Sequence, residues 1–343
     1  MIENKLLPHT ITIVTTHRCT SVCKSCCFDC SPHREKGLSA MEIKEAVDSV
    51  VSEFPDTIHN VVLTGGEVFL LGVKHIMDII EHCKRRGLEV RIVTNGFWAR
   101  NKTVTQKYIS MLSSSGLDEI NISTGDEHLK YVPIDNVLNI VECAEESVTI
   151  KSVVVVVEIG ASKRFKMEDF SQSYRDRFAK NHPSKLIVLS SPWVDMTNKK
   201  ITFQSNELSM KKDHHLINSG CDNLFTGIQI NPSGQLLACC GFAAEYTPLL
   251  KMGDLRNVNK SIRSIWTEHL HDLLKIWLYT DGPKGIVEYM EGNQISLSNQ
   301  LHDCEICTRL LLSTKYLRAI ANLPEAKVMD ILTRFHMKIM CNI

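Results

Sequence analysis

The sequence predicts an α/β fold: a parallel sheet, closed or nearly closed into a barrel, followed by a smaller unit of a β-hairpin and helices. From residue 10 to about 190, short β-branched runs alternate with longer amphipathic stretches. The runs are largely apolar, as strands covered on their outer face by helices are. After Pro192 the alternation stops, and a different pattern begins near Cys221.

In chain order, strands are expected at ITIVTT (11–16), NVVLTG (60–65), EVRIVTN (89–95), EINIST (119–124), SVVVVVE (152–158) and KLIVLS (185–190). Between them SAMEIKEAVDSVVSEF, VKHIMDIIEHCKRRG, VTQKYISMLSSSG, IDNVLNIVECAEES and MEDFSQSYRDRFAK carry apolar residues at helical spacing, and some end at glycine. Residues 193–220, polar and containing His214 and His215, read as a connector and a solvated face. GIQINPSGQLLACC (227–240) reads as two short strands around an Asn-Pro-Ser-Gly turn. From Ile262 onward the chain is mostly helical, with CEIC (304–307) opening a helix toward Asn322 and a last helix after Pro324. The expected domains are 1–192, the connector 193–220, and 221–343.

The 343 residues suffice for two domains or one large one. The 39 Lys+Arg balance the 39 Asp+Glu, so no global field gathers nucleic acid or an acidic membrane surface. Apolar runs such as Val153 to Val157 fall far short of the roughly 20 residues that span a bilayer, and the amino terminus lacks the parts of a secretion signal. A cytoplasmic protein, off the membrane and without a nucleic-acid partner, is expected.

Thirteen cysteines are too many for an ordinary cytoplasmic enzyme, and they cluster. Five lie between Cys19 and Cys30, three between Cys221 and Cys240, and two at Cys304 and Cys307; Cys83, Cys143 and Cys341 stand apart. Clustered thiols in a reducing compartment read as metal ligands. Cys19, Cys23 and Cys26 give C-x3-C-x2-C directly after the first strand. Three thiolates in one loop suit three irons of a cubane, leaving the fourth open to a small molecule. A zinc site is the competing reading, with Cys27 or Cys30 as fourth ligand. In barrels of this kind chemistry collects at strand C-termini, where the first cysteines, TGGE (64–67), TNG (94–96) and STGDEH (123–128) all fall.

The C-x3-C-x2-C loop, the Gly-Gly-Glu after the second strand and the barrel-like alternation together resemble the radical S-adenosylmethionine enzymes over roughly residues 10–190. The resemblance implies a partial (β/α)6 TIM-like barrel in which Cys19, Cys23 and Cys26 bind a 4Fe–4S cluster. The methionyl amine and carboxylate of S-adenosyl-L-methionine would then chelate the open iron, and one electron would cleave the sulfonium to a 5′-deoxyadenosyl radical. It implies that Gly65 and Gly66 admit the methionyl group and that Glu67 accepts a hydrogen bond from its amine. Asn95, and Ser123 or Asp126, match positions contacting the ribose or methionyl carboxylate. Ser25 departs from the aromatic residue often found before the third cysteine, and Phe28 is a candidate substitute.

Cys221, Gly234, Cys239, Cys304 and Cys307 form C-x12-G-x4-C…C-x2-C, which resembles the twitch domain of the same family, a shortened relative of the SPASM domain. It implies a second 4Fe–4S cluster held by Cys221, Cys239, Cys304 and Cys307, with four-cysteine zinc as the competing reading. Four thiolates leave no open iron, which favours electron transfer or support. Twitch-bearing relatives act on cyclitols or ribosomal peptides, so the expected activity is modification of a ribosomally made precursor peptide by epimerization, crosslinking or a related change. The electron donor would be a reductant such as flavodoxin or ferredoxin. A small-molecule dehydrogenase and a non-catalytic metal-binding protein are the alternatives. With the cluster loop at Cys19, no winged-helix peptide-recognition module is expected before the barrel. Phe97 and Trp98 either contact substrate or pack, and His128 and Tyr131 are equally ambiguous.

Cys240 is a spare thiol. As the strand neighbour of Cys239 it points to the opposite face, which would let it face substrate and donate a hydrogen atom to a carbon radical, inverting the centre. Peptide epimerases of the family resemble this scheme. It could instead replace Cys239 as ligand or be a buried filler.

Overall fold

The computed structural model describes residues 5–24, 26–159, 164–178, 184–193, 220–256, 260–291 and 302–341. Ser25 and nearly all of the 193–220 connector, with His214 and His215, lie outside the described residues. Strands β1 (Thr10–Val14), β2 (Asn60–Thr64), β3 (Glu89–Thr94), β4 (Glu119–Gly125), β5 (Ser152–Ile159) and β6 (Leu186–Pro192) line up in the order β6-β5-β4-β3-β2-β1. Pairing is parallel from β2 to β6, with Ile92 opposite Ile120 and Val155 opposite Val188. Helices α1 (Ala40–Glu53), α2 (Val73–Lys84), α3 (Lys102–Ser114), α4 (Ile134–Glu145) and α5 (Met167–Phe178) alternate with them, the mixed α/β arrangement of a partial barrel.

Local chemistry sets the element ends. Ser39 and Glu42 form a reciprocal capping box before α1, with Ser39 N–H donating to Glu42 Oε2 (2.8 Å) and Glu42 N–H to Ser39 Oγ (3.2 Å). Asn101 accepts from Val104 N–H (2.9 Å) at the start of α3. The core is built from Ile76, Ile79 and Ile80 of α2, Ile92 of β3, and Ile120 and Ile122 of β4, all without exposed surface. Cys83 and Cys143 are equally buried and fill apolar space.

At the N-terminal ends of the strands, buried Asp118 accepts from Val90 N–H (2.9 Å) and pairs with Lys84 (2.7 Å) and Lys151 (3.0 Å). Burial disfavours its charge, but the two ammonium groups and the amide hold its pKa below the usual value.

The chain divides into two compact units: Thr12–Asp48 with His59–Gln204, and Met1–Ile11 with Ser49–Ile58 and Ser205–Ile343. In the second, β7 (Gly227–Ile230) and β8 (Gln235–Leu237) form a hairpin whose turn is fixed by Asn231 Oδ1, which accepts from Ser233 and Gln235 N–H (3.0 Å each), and by Gly234 at φ +79°. A third antiparallel strand, β9 (Lys251–Asp254), pairs with β8 and was not expected from sequence. The helices are α6 (Ala243–Tyr246), α7 (Ile262–Leu270), α8 (Leu273–Glu291), α9 (Asp303–Leu312), α10 (Thr314–Ala321) and α11 (Glu325–Cys341). The expected helix from CEIC to Asn322 is two, because Ser313 is extended (φ −89°, ψ 113°) between α9 and α10. Among the described residues no helix is long and apolar enough to cross a membrane.

His269 is 2% exposed, and neither ring nitrogen has a partner among the described residues. It packs between Phe225 and Trp266. Burial pushes its pKa well below the usual 6.5, so the folded chain keeps it neutral while the unfolded chain protonates it. Its contribution is therefore present above about pH 6.5 and is lost below, at up to about 1.4 kcal/mol per pH unit. The thermal midpoint should fall more steeply between pH 7 and 5.5 in the native chain than in His269→Phe. Equal slopes would refute this.

Candidate functional site

The loop after β1 carries five of the clustered thiols, Cys19, Cys23, Cys26, Cys27 and Cys30, and is clamped onto the end of β2. Thr15 N–H donates to Thr64 O (2.8 Å), Gly66 N–H to Thr16 O (2.7 Å) and Glu67 N–H to Arg18 O (3.0 Å). These contacts explain both glycines. A Cβ on Gly65, at φ +130°, would stand 2.5 Å from Thr16 O, and one on Gly66 would stand 2.2 Å from Arg18 O. Whatever room the glycines give a ligand, their missing side chains already admit the cysteine loop.

Glu67 is 1% exposed and caps the 3-10 turn Val68–Leu71. Its Oε1 accepts from Phe69 N–H (3.0 Å) and Thr94 Oγ1 (2.8 Å), and its Oε2 from Asn95 N–H (2.9 Å). Burial outweighs these donors and raises its pKa to about 7. The carboxylate thus ties the ends of β2 and β3 together, one residue beyond the glycine clamp.

Asn95 is 4% exposed, and its amide points at the cysteine loop, reaching Thr20, Ser21 and the sulfur of Cys19. Asp126 accepts from Arg164 and Phe165 N–H (3.1 and 2.7 Å), holding the segment before α5. Ser123 lies within β4, opposite Val156 of β5. The loop after β4 also grips the cysteine loop: Tyr131 Oη donates to Val22 O (2.6 Å) and Lys24 N–H to Glu127 Oε2 (3.2 Å). His128, in the same loop, is held through Nε2 by Glu158 (3.1 Å) and packs edge-on against Trp193. Trp98 is 6% exposed, stacks on Phe69 at 4.3 Å between ring centres and donates to Thr94 Oγ1 (3.2 Å), so it is a packing residue. Phe28 is half-buried and stacks on His17.

Burial, foremost, and neighbouring negative groups raise the thiols of Cys19, to about 11, and of Cys23. The Cys30 thiol, by hydrogen bonding, lowers that of Cys26 and is itself raised. Desolvated thiols that would repel one another once ionised suit a cationic iron core, whose binding offsets both penalties. Among the described residues no three His, Cys, Asp or Glu side chains converge on one point as ligands of a single ion would. A cubane asks for less convergence, since it spreads its thiolates over separate irons.

The second unit gathers the other clustered thiols, Cys221, Cys239, Cys240, Cys304 and Cys307. Cys239 follows β8 and is 6% exposed; burial, and then Cys221, Cys307, Cys240 and Cys304 as negative neighbours, push its pKa well up. Cys304 and Cys307 lie a turn apart at the start of α9, which His302 caps by accepting from Cys304 N–H (3.1 Å). The Cys304 thiol is raised to about 12, mainly by burial. Cys221 is placed by its N–H bond to Leu278 O (2.9 Å). Cys239 and Cys240 both lie beyond the end of β8 at Leu237, so the strand alternation expected to turn Cys240 to the opposite face does not apply; Cys240 is exposed, and desolvation raises its thiol.

Gly241 was not singled out in the sequence, although it directly follows the cysteine pair. A Cβ there would stand 3.1 Å from Cys304 Sγ and 3.5 Å from Cys239 Sγ, so its bare Cα borders the space between two sulfurs. If Cys221, Cys239, Cys304 and Cys307 hold the second cluster the sequence resemblance implies, Gly241→Ala should lower iron retention there while sparing the thiols after β1. Iron analysis after anaerobic reconstitution checks this, and a full complement would refute it.

Loop thiols and glycines gather at the C-terminal ends of strands β1 and β2. Residues 13–175 match the model of the Radical SAM superfamily, a family whose members work with a 4Fe–4S cluster and S-adenosylmethionine. The chain is 33% identical over 135 residues to "Putative peptide biosynthesis protein YydG" of Bacillus subtilis (strain 168), covering 39% of this chain and 41% of that protein. It is 22% identical over 272 residues to "Antilisterial bacteriocin subtilosin biosynthesis protein AlbA" of the same strain, covering 70% and 57%. The matches thus span only about half the length of these relatives. Native anSMEcpe with bound AdoMet shares the fold, with TM-score 0.58 at 11% identity over 96% of this chain and 99% of that one.

Proposed function

We propose that this chain modifies a ribosomally made precursor peptide by radical chemistry, with inversion of an α-carbon as the leading reaction. Cys19, Cys23 and Cys26 would hold the cluster, with Gly65, Gly66, Glu67, Ser123 and Asp126 around the nucleotide. Cys221, Cys239, Cys304 and Cys307 would hold a second, auxiliary cluster. The observation that carries the reading is the interlocking of the cysteine loop with the Gly-Gly-Glu turn at the strand ends. When bound, the cluster and S-adenosylmethionine supply a 5′-deoxyadenosyl radical that takes hydrogen from a C–H bond. The peptide substrate is supported by the names of YydG and AlbA. The electron would come from a reductant such as flavodoxin or ferredoxin, in the cytoplasm, where the thiols stay reduced.

The residues of the chain divide the remaining work. The clamp on the cysteine loop keeps three thiolates in place, and Glu67 keeps β2 and β3 in register beneath them. Cys240, exposed beside Cys239, would give its S–H hydrogen to the substrate carbon radical. The sulfur radical left behind would need one electron from the reductant and one proton from solvent to return to the thiol.

The test is Cys240→Ala, incubated with precursor peptide in heavy water. The variant should keep its iron and still form 5′-deoxyadenosine, yet yield no inverted, deuterium-labelled residue. Loss of iron would make Cys240 a ligand, and unchanged product would end its role as donor.

A further inference from the structure

We propose that Asn95 serves the cluster and not the nucleotide: it donates to the Cys19 thiolate, fixing that ligand and making the cluster easier to reduce. The proposal rests on Cys19 being a ligand. The orientation of the amide is set by the chain, because Asn95 Oδ1 accepts from Phe97 N–H (3.0 Å) and leaves Nδ2 as the end facing the loop. Nδ2 lies 3.6 Å from Cys19 Sγ, 3.2 Å from Thr20 Oγ1 and 3.4 Å from Ser21 Oγ. Asn95 N–H is anchored on Glu67 Oε2 (2.9 Å), so the whole residue is positioned by the neighbouring strand.

Cys19 receives a second donor, Ser21 N–H, at 3.4 Å. One of the two donors comes from its own loop and the other from the end of β3, so the sulfur is held between two elements. Cys23, by contrast, has the carbonyl of Glu127 at 3.9 Å, although both thiols have carboxylate neighbours, Glu67 for Cys19 and Glu158 and Glu127 for Cys23. Hydrogen bonds donated to cluster sulfurs stabilise the more negative, reduced state. Cys26 also receives a donor, Cys30 N–H at 3.4 Å, but from the cysteine loop itself, so what sets Cys19 apart is a donor that reaches it from the end of β3. With its N–H, Nδ2 and Oδ1 all engaged and 4% of its surface exposed, the Asn95 side chain has little left to offer a ribose or carboxylate.

Asn95→Asp keeps the acceptor for Phe97 but removes both amide protons, and Asn95→Leu removes donor and acceptor without adding charge. In the reconstituted full chain, an EPR-monitored titration reads the potential of the cluster whose signal responds to S-adenosylmethionine. Calorimetry reads nucleotide affinity, and iron analysis reads retention. Both variants should show a more negative potential or weaker iron retention, with nucleotide affinity within roughly threefold of native. Tenfold weaker nucleotide binding at unchanged potential would overturn the proposal, as would no change at all. If neither variant folds, the native chain labelled with 15N-amide asparagine should show a weak nitrogen coupling to the reduced cluster, and its absence would overturn the idea. Full iron retention in Cys19→Ala would instead remove the ligand assignment on which it stands.

Discussion

Replacing Cys19, Cys23 and Cys26 together by Ala is expected to halve the iron, from about eight to about four atoms per chain, and to abolish 5′-deoxyadenosine formation. These thiols lie on a loop held at both neighbours, by the β2 end and by the loop after β4, so the backbone should keep its path without them. The loss should therefore be chemical, with the sheet intact by circular dichroism. Unchanged iron, or zinc in its place after anaerobic reconstitution, would refute the assignment.

Replacing Cys304 and Cys307 by Ser should remove the other half of the iron and also cost stability. Both sit in the first turns of α9, and Cys221 hangs on the carbonyl of Leu278 in α8, so the proposed cluster cross-links the helices to the segment that follows the β7–β8 hairpin at Cys239. Binding energy at a structural metal site, on the order of 10 kcal/mol, is folding energy. Even partial loss should lower the thermal midpoint by roughly 10 °C or more. The iron of the first unit should remain. An unchanged midpoint with full iron would remove the auxiliary cluster.

The strands were legible almost residue by residue. β5 was expected at 152–158 and runs Ser152–Ile159, because an uninterrupted β-branched run buried on both faces has few other uses. Strand ends were legible as places, since glycine, cysteine and acidic residues stand out against apolar runs. What those side chains touch was not. Glu67 turns inward to Thr94 and Asn95, Asn95 turns to a loop 76 positions away, and Asp126 turns to Arg164 and Phe165, all long-range contacts that no local pattern encodes. The interruption at Ser313 was missed because apolar spacing continues through it, and β9 because its only cue is pairing with β8. Gly241 illustrates the same limit, since its meaning comes from a sulfur on α9.

Asp118 with its two lysines and Val90 N–H lies at one end of the parallel sheet, while the thiols, Glu67 and Asn95 lie at the other, about 20 Å away for a six-residue strand. Foundation and workshop are thus on different floors. Drift among the residues at the mouth, the usual route to a new substrate, leaves the lower anchor untouched, and repair of a weakened sheet at Asp118, Lys84 or Lys151 need not disturb the chemistry. A lineage built this way can change what it acts on without first becoming more stable.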